Sequence, residues 1–171
     1  MEYFPMPGDL DPYSFDPSSL DLTQRVADLD AIQRANPHRF EMVMLTAITH
    51  LDPERKFIAG FKDVRADEFW VRGHMPGFPI LPGVLMCEAA AQLSGYYGAT
   101  QGITGGRMMG LGAIEQAKFR RMVRPGERLV MAGFGLKIDR RLLKFHVLGF
   151  VNGERTFEAI VSGVPLPTDK G

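Results

Sequence analysis

One stretch of this chain is so apolar that it must lie in the core of the folded protein. Residues 83–97 contain a single charged side chain, Glu88, among aliphatic, small and aromatic residues. Pro82 precedes the stretch, and proline is favoured at the first turn of a helix because its missing N–H costs nothing there. The stretch therefore predicts one long, buried helix that begins near Pro82 and ends near Gly98.

Glu88 is the most informative residue of this helix. Burial disfavours an ionised carboxylate, so we expect the pKa of Glu88 to rise toward neutrality, as it does for carboxyl groups that act as acids. A core carboxylate paired with an arginine is the alternative. Gln92 lies one helical turn further along the same face, and it could hold the carboxyl group by a hydrogen bond under either interpretation.

His74 lies fourteen residues before Glu88, in a loop rich in proline and glycine. Prolines restrict the backbone and glycines allow turns, so the loop is predicted to hold the imidazole in place. A histidine bonded only to the backbone of a tight turn is the alternative, but the nearby Glu88 favours catalysis. The start of the helix, at Gly83 and Val84, adds free N–H groups that can stabilise an oxyanion.

These groups suit removal of a proton beside a thioester carbonyl with loss of a β-hydroxyl. His74 is predicted to take the proton, the helix N-terminus to stabilise the enolate-like oxygen, and Glu88 to protonate the departing hydroxyl. The apolar helix and strands would line a slot for an acyl chain. No metal or nucleotide is predicted, because the sequence has no glycine-rich nucleotide motif and three histidines lack metal-ligand spacing: His38, His50 and His146.

The rest of the chain is dominated by segments that form strands. They are predicted at residues 40–49, 56–64, 69–71, 108–119, 128–138, 142–151 and 156–164, and a short helix is predicted at 28–35. Asn152-Gly153 is the strongest hairpin signal. One long apolar helix among many strands predicts an α+β fold, in which an antiparallel β-sheet wraps around a central helix.

Charge divides the chain unevenly, although the formal net charge is zero. Residues 1–30 hold seven acidic side chains against Arg25 alone, and they also hold four aromatic residues: Tyr3, Phe4, Tyr13 and Phe15. We predict an acidic arm over residues 1–30, part of which packs on a folded surface, and a single domain over residues 31–171. A disordered tail is the alternative.

A basic stripe interrupts this neutral balance at Lys118, Arg120, Arg121 and Arg124. The zero net charge of the whole chain argues against a general nucleic-acid binder. The single cysteine, Cys87, excludes an intramolecular disulfide and is compatible with a reducing compartment. The sequence shows no secretion signal and no membrane span, so we expect a soluble cytoplasmic protein.

The loop and the helix resemble the FabZ-type 3-hydroxyacyl-acyl-carrier-protein dehydratases. That family follows GHFPGxPxxPGVLxxEAxAQ, and residues 73–92 read GHMPGFPILPGVLMCEAAAQ. Sister enzymes that also isomerise the double bond carry aspartate at the position of Glu88. The resemblance extends from about residue 31 to residue 164 and includes PHRF at residues 37–40, which is similar to the family's PHRYP.

The resemblance implies a hot-dog fold and dehydration of (3R)-3-hydroxyacyl-acyl-carrier protein to the trans-2-enoyl form, in fatty-acid or related lipid or polyketide biosynthesis. It implies no cofactor beyond the phosphopantetheine on which the acyl carrier protein presents the substrate. It also implies homodimers, often three to a hexamer, in which the histidine and glutamate of one site come from different subunits. The basic stripe is expected to dock the acidic carrier.

Two other functions remain open at this point. A hot-dog thioesterase would use a carboxylate and a water molecule on the same scaffold. The second is a non-catalytic subunit that binds the acyl carrier. The presence of both His74 and Glu88 argues against it, because such a subunit has no use for the pair.

Overall fold

Six antiparallel strands and one long helix form the body of the protein in the computed structural model, which describes residues 10–167. The strands are β1 (Ala47–Asp52), β2 (Phe57–Asp63), β3 (Met109–Phe119), β4 (Arg128–Asp139), β5 (Leu142–Val151) and β6 (Glu154–Pro165). The helices are α1 (Leu29–Ala35) and α2 (Gly83–Thr100), and single 3-10 turns lie at Pro17–Ser19 and Phe40–Met42.

The sheet has the strand order β1-β2-β4-β5-β6-β3 and curves around α2. The β5–β6 turn forms at Asn152-Gly153, where both residues adopt the positive φ that this dipeptide tolerates. Ala89, Ala90 and Leu93 of α2 are fully buried in the apolar core between helix and sheet. The predicted α+β architecture, a sheet wrapped around one apolar helix, is confirmed.

The strand prediction for residues 40–49 is wrong over its first half. Residues 40–42 form a 3-10 turn, and β1 begins only at Ala47. The cause is tertiary: the side chain of Gln92 binds the carbonyl of Met42 and the N–H of Met44, so these groups are satisfied without a neighbouring strand. Residues 69–71 are also not a strand, because the Trp70 carbonyl accepts hydrogen bonds from the backbone of the turn that follows it.

The outer face of the sheet is also apolar, and the N-terminal arm covers it. Four arm residues pack against a second buried cluster on β1, β2, β4 and β5: Leu10, Phe15, Leu20 and Leu22. The Phe15 ring centre lies 5.3 Å from that of Phe134 and 5.7 Å from that of Phe57. Packing of part of the arm is thus confirmed, while Tyr3 and Phe4 lie outside the described residues.

The edges of the sheet differ in what covers them. At the β1 edge the arm adds one bridge, in which Ala27 and Ile48 exchange two backbone hydrogen bonds. At the other edge, β3 pairs with β6 on one side and with no described strand on the other. This strand exposes the side chains of Leu111, Ile114 and Phe119. Among residues 10–167, no helix combines the length and the apolar character needed to cross a membrane.

We predict that Phe15→Ala lowers the free energy of unfolding by about 2–3 kcal/mol, since it removes an aromatic anchor from a partly enclosed site. Chemical denaturation at fixed protein concentration measures this. Tyr13→Ala is the control, because that side chain is more than half exposed, and it should cost about 1 kcal/mol or less. Equal stability of Phe15→Ala and the wild type would show that the arm does not contribute to the fold.

Candidate active site

The backbone of its own loop holds His74. The His74 N–H donates to the Trp70 carbonyl at 2.8 Å, and the His74 carbonyl accepts from the Ile80 N–H at 2.9 Å. The imidazole Nδ1 lies 2.8 Å from the Ile80 carbonyl oxygen. Because a carbonyl can only accept, Nδ1 carries the hydrogen, and in the neutral imidazole Nε2 carries the lone pair. The loop therefore presents Nε2 as a base.

The N-terminus of α2 follows this loop directly. The Leu81 N–H donates to the Val123 carbonyl at 2.7 Å, which anchors the chain just before the helix. No side chain caps the helix, and the N–H groups of Gly83 and Val84 donate to no described residue. A Cβ at position 83 would come within 2.9 Å of the Phe119 ring, so glycine allows this close approach.

The carboxyl group of Glu88 is held through one of its two oxygens. Oε1 accepts a hydrogen bond from Gln92 Nε2 at 2.8 Å and lies 3.2 Å from His38 Nε2. Oε2 forms no hydrogen bond with any residue in the described range 10–167. The position of Gln92 is fixed in turn, since its amide also donates to Met42 O at 2.6 Å and accepts from Met44 N at 2.9 Å.

The expected rise in the pKa of Glu88 is wrong. The contact with His38 holds the pKa of Glu88 below its ordinary value, the Gln92 hydrogen bond acts in the same direction, and partial burial only opposes them. Hydrogen bonds to the charged form outweigh the desolvation on which the expectation rested. The side chain of Glu88 also keeps 21% of its surface exposed, so its desolvation is incomplete.

Glu88 lies on the wall of a cavity of about 670 Å³ between α1, α2 and the start of β3. Small and apolar side chains form much of the lining: Ala31, Ala35, Ala91, Ala99, Met108, Met109, Leu111 and Leu143. Three cations border the cavity: Arg34, Arg39 and Arg107. The space thus combines an apolar wall with a cationic border and one carboxylate.

His74 is not part of this cavity wall, and among the described residues no hydrogen bond or ion pair joins it to Glu88. The loop that holds His74 leads directly into the N-terminus of α2. Glu88, in contrast, contacts Gln92 and His38. One chain therefore presents the predicted base and the predicted acid in two separate groups.

Most of the predicted basic stripe is engaged in ion pairs. Lys118 and Arg120 both approach Glu158, at 3.4 and 2.9 Å, and Arg121 lies 2.7 Å from Glu127. Arg124 differs, because its guanidinium lies 4.5 Å from the ring centre of Phe78 in the His74 loop. Arg124 therefore connects the stripe to the His74 loop.

His38 is the residue at this site that sequence reasoning missed. It was considered only as a metal ligand, and the structure places it on the predicted acid instead. Its position within the PHRF segment at residues 37–40 was the available signal, but the segment is fifty residues from Glu88 and no local pattern joins them.

Comparison with known proteins places the chain in a family. A family model described as a FabA-like domain matches residues 36–160. A 3-hydroxyacyl-[acyl-carrier-protein] dehydratase FabZ of Clostridium acetobutylicum is 36% identical over 134 residues, which cover 78% of this chain and 94% of the relative. Its counterpart in Rhizobium rhizogenes is 34% identical over 143 residues, covering 84% and 90%. The chain belongs to the FabA-like family, among the FabZ-type dehydratases.

Solved structures show the same fold at low sequence identity. The dehydratase heterocomplex ApeI:P of Xenorhabdus doucetiae matches with a TM-score of 0.69 at 16% identity, over 81% of this chain and 91% of that one. The PaaI protein of the E. coli phenylacetic acid degradation operon matches with a TM-score of 0.53 at 14% identity, over 68% and 80%. The fold is the hot-dog fold that the resemblance implied.

Proposed function

We propose that this protein is a 3-hydroxyacyl-acyl-carrier-protein dehydratase that converts the (3R)-3-hydroxyacyl thioester to the trans-2-enoyl thioester. The observation that carries the proposal is the fixed imidazole of His74, whose Nδ1 is held by the Ile80 carbonyl in the loop that leads into α2, where the N–H groups of Gly83 and Val84 donate to no described residue. The relatives, which bear the name of this activity, give independent support.

Each proposed step has a residue suited to it. His74 Nε2 removes the α-proton, and the N–H groups of Gly83 and Val84 stabilise the negative charge that forms on the thioester oxygen. The Cβ–O bond then breaks, and Glu88 supplies the proton that converts the departing hydroxyl to water. The product is the enoyl thioester, with the proton from Cα left on His74.

Glu88 rests in its ionised form, because its pKa is lowered, and it must take up a proton before it can act as the acid. The active form needs His74 neutral and Glu88 protonated, so only a fraction of the free enzyme is ready at neutral pH. A substrate hydroxyl beside Oε2 would favour that form, since it can accept the carboxyl proton. The cavity beside Glu88 offers a largely apolar space for the acyl chain.

A homodimer would bring the two groups together. The cavity of Glu88 is lined by Met109 at the start of β3, and Phe119 at the end of β3 packs against Gly83. If two copies pair their β3 edges antiparallel, the start of one strand lies opposite the end of the other. Each Glu88 cavity then faces the partner subunit's helix N-terminus and histidine loop.

The exposed β3 edge favours this pairing, because a long edge strand with apolar side chains is otherwise a site of uncontrolled association. Assembly of three such dimers into a hexamer is a further expectation from the family resemblance. The acyl carrier protein is the proposed partner, and we place its docking near Arg124, where a cation lies against the His74 loop.

We predict that His74→Ala and Glu88→Gln each lower turnover by at least about 100-fold, since each removes a general acid or base. Hydration of a crotonyl thioester, followed by loss of the enoyl absorbance, measures this. His74→Asn is the matched variant, because its amide can keep the bond to the Ile80 carbonyl but cannot act as the base. Wild-type protein that releases free thiol without hydrating the substrate would instead indicate a thioesterase.

A second prediction tests the shared site. Equal amounts of His74→Ala and Glu88→Gln protein, dissociated and reassociated together, should regain a substantial fraction of wild-type activity, because mixed dimers contain one site with both residues intact. Each variant treated alone is the control. Inactive samples in which mass spectrometry detects mixed dimers would place both residues of a site in the same subunit.

A third prediction concerns carrier docking. Arg124→Glu should raise KM for acyl-carrier substrates and leave small thioester substrates unaffected, and the effect should weaken at high salt. Lys137→Glu, an exposed charge reversal near the other end of β4, is the control. Equal loss on both substrates would show that Arg124 supports the His74 loop through Phe78 and does not serve docking.

A further inference from the structure

His38 lies on the cavity wall beside Glu88, and its backbone is held in place. The Arg39 guanidinium donates to the carbonyl oxygens of Asn36 at 2.8 Å and His38 at 2.7 Å, which fixes the chain on both sides of Pro37. Nδ1 of His38 is buried and has no hydrogen-bond partner among the described residues, while Nε2 lies 3.2 Å from Glu88 Oε1.

The unpartnered nitrogen assigns the tautomer of His38. A buried N–H without an acceptor is rarer and more costly than a buried acceptor without a donor. Nδ1 is therefore the bare nitrogen, and Nε2 carries the hydrogen and donates to Glu88. This direction agrees with the partner, since a carboxylate can only accept.

Two N–H donors thus converge on the same oxygen of Glu88. His38 and Gln92 both point at Oε1, and Oε2 bonds no described residue. When Glu88 is protonated, a hydrogen on Oε1 would point at the N–H donors of His38 and Gln92, which is unfavourable. A hydrogen on Oε2 meets no donor from the described residues. The proton is consequently placed on Oε2.

We propose that His38 is a positioning residue for the acid: together with Gln92 it occupies Oε1 of Glu88 and directs the transferable proton to Oε2, toward the substrate hydroxyl. The proposal rests on the proposed dehydratase function. His38 exchanges no proton with the substrate; it determines which oxygen of Glu88 does so. The dehydration itself is unchanged: one proton moves from Oε2 of Glu88 to the departing hydroxyl, and the Cα proton moves to His74.

Four charged side chains besides His38 line the described part of the cavity. The charged groups that line the cavity within the described residues are Arg34 from α1, Arg39 beside His38, Arg107 from the segment after α2, and Glu88 itself. The hydrogen bond from His38 lowers the pKa of Glu88, because it stabilises the carboxylate.

The test compares His38→Leu, which has no donor, with His38→Gln, whose amide N–H can reach the position of Nε2. Carbon-13 NMR of protein labelled at the glutamate carboxyl carbon gives the pKa of Glu88, and Glu88→Gln identifies its signal. We expect the pKa of Glu88 to be raised in His38→Leu, because the donor that favours the carboxylate is lost, and to stay near the wild-type value in His38→Gln.

Kinetics supply the second measurement. Turnover should fall about tenfold or more in His38→Leu and recover largely in His38→Gln, since the acid is displaced only in the first. The limb of the pH–rate profile that reports Glu88 should move to higher pH in His38→Leu only. If His38→Leu does not fold, His38→Asn serves in its place, because its amide reaches only the position of Nδ1.

Each outcome decides between the proposals. An unchanged Glu88 pKa in His38→Leu, or equal turnover in the Leu and Gln variants, would overturn the role of His38 while leaving an active dehydratase. Wild-type protein that shows no hydration or dehydration of any acyl thioester would overturn the proposed function and the role of His38 with it.

Discussion

The buried amide of Gln92 is the interaction on which the site depends. Both of its N–H bonds are used, on Met42 O and Glu88 Oε1, and its oxygen accepts from Met44 N. Its own backbone carbonyl accepts from the Asn36 side chain at 2.9 Å. Leaving any of these buried groups unpaired would cost about 1–3 kcal/mol each, so the side chain and backbone of Gln92 together hold residues 36–44 against α2. That arrangement is what brings His38 to Glu88.

The same network explains why the pKa of Glu88 is low for a partly buried carboxyl group. A carboxyl group with two donors on one oxygen is stabilised as the carboxylate, and this stabilisation is lost as the pH falls through the lowered pKa. The lowered pKa reduces the fraction of Glu88 that is protonated. The same hydrogen bonds hold the carboxyl group in one orientation, in which Oε2 bonds no described residue. His74 is held by its own loop, and Glu88 is held by α2 and its neighbours. Groups that are positioned before a substrate arrives have a lower entropic cost of alignment.

The sheet has to be covered on both faces, and each cover has a different origin. The inner face is covered by α2, while Phe57, Phe134 and Phe150 make the outer face apolar. The arm covers this outer cluster through Phe15 and also bridges the β1 edge through Ala27. Arg155 adds a hydrogen bond to the Pro12 carbonyl at 3.1 Å, on the β6 side. Within residues 10–167, no strand or arm segment covers the β3 edge in this way.

The sequence by itself determined the elements whose cause is local. The apolar stretch around Glu88 gave α2, the Asn152-Gly153 dipeptide gave a hairpin, and Asp28 capped α1, because each depends on neighbouring residues alone. One motif also supplied the hypothesis that His74 is the base and Glu88 the acid, which stays a prediction. Only the tertiary structure decided that residues 40–42 leave the strand pattern, that His38 meets Glu88, and that the pKa of Glu88 falls. Each of these depends on hydrogen bonds between groups some fifty residues apart, which no local pattern encodes.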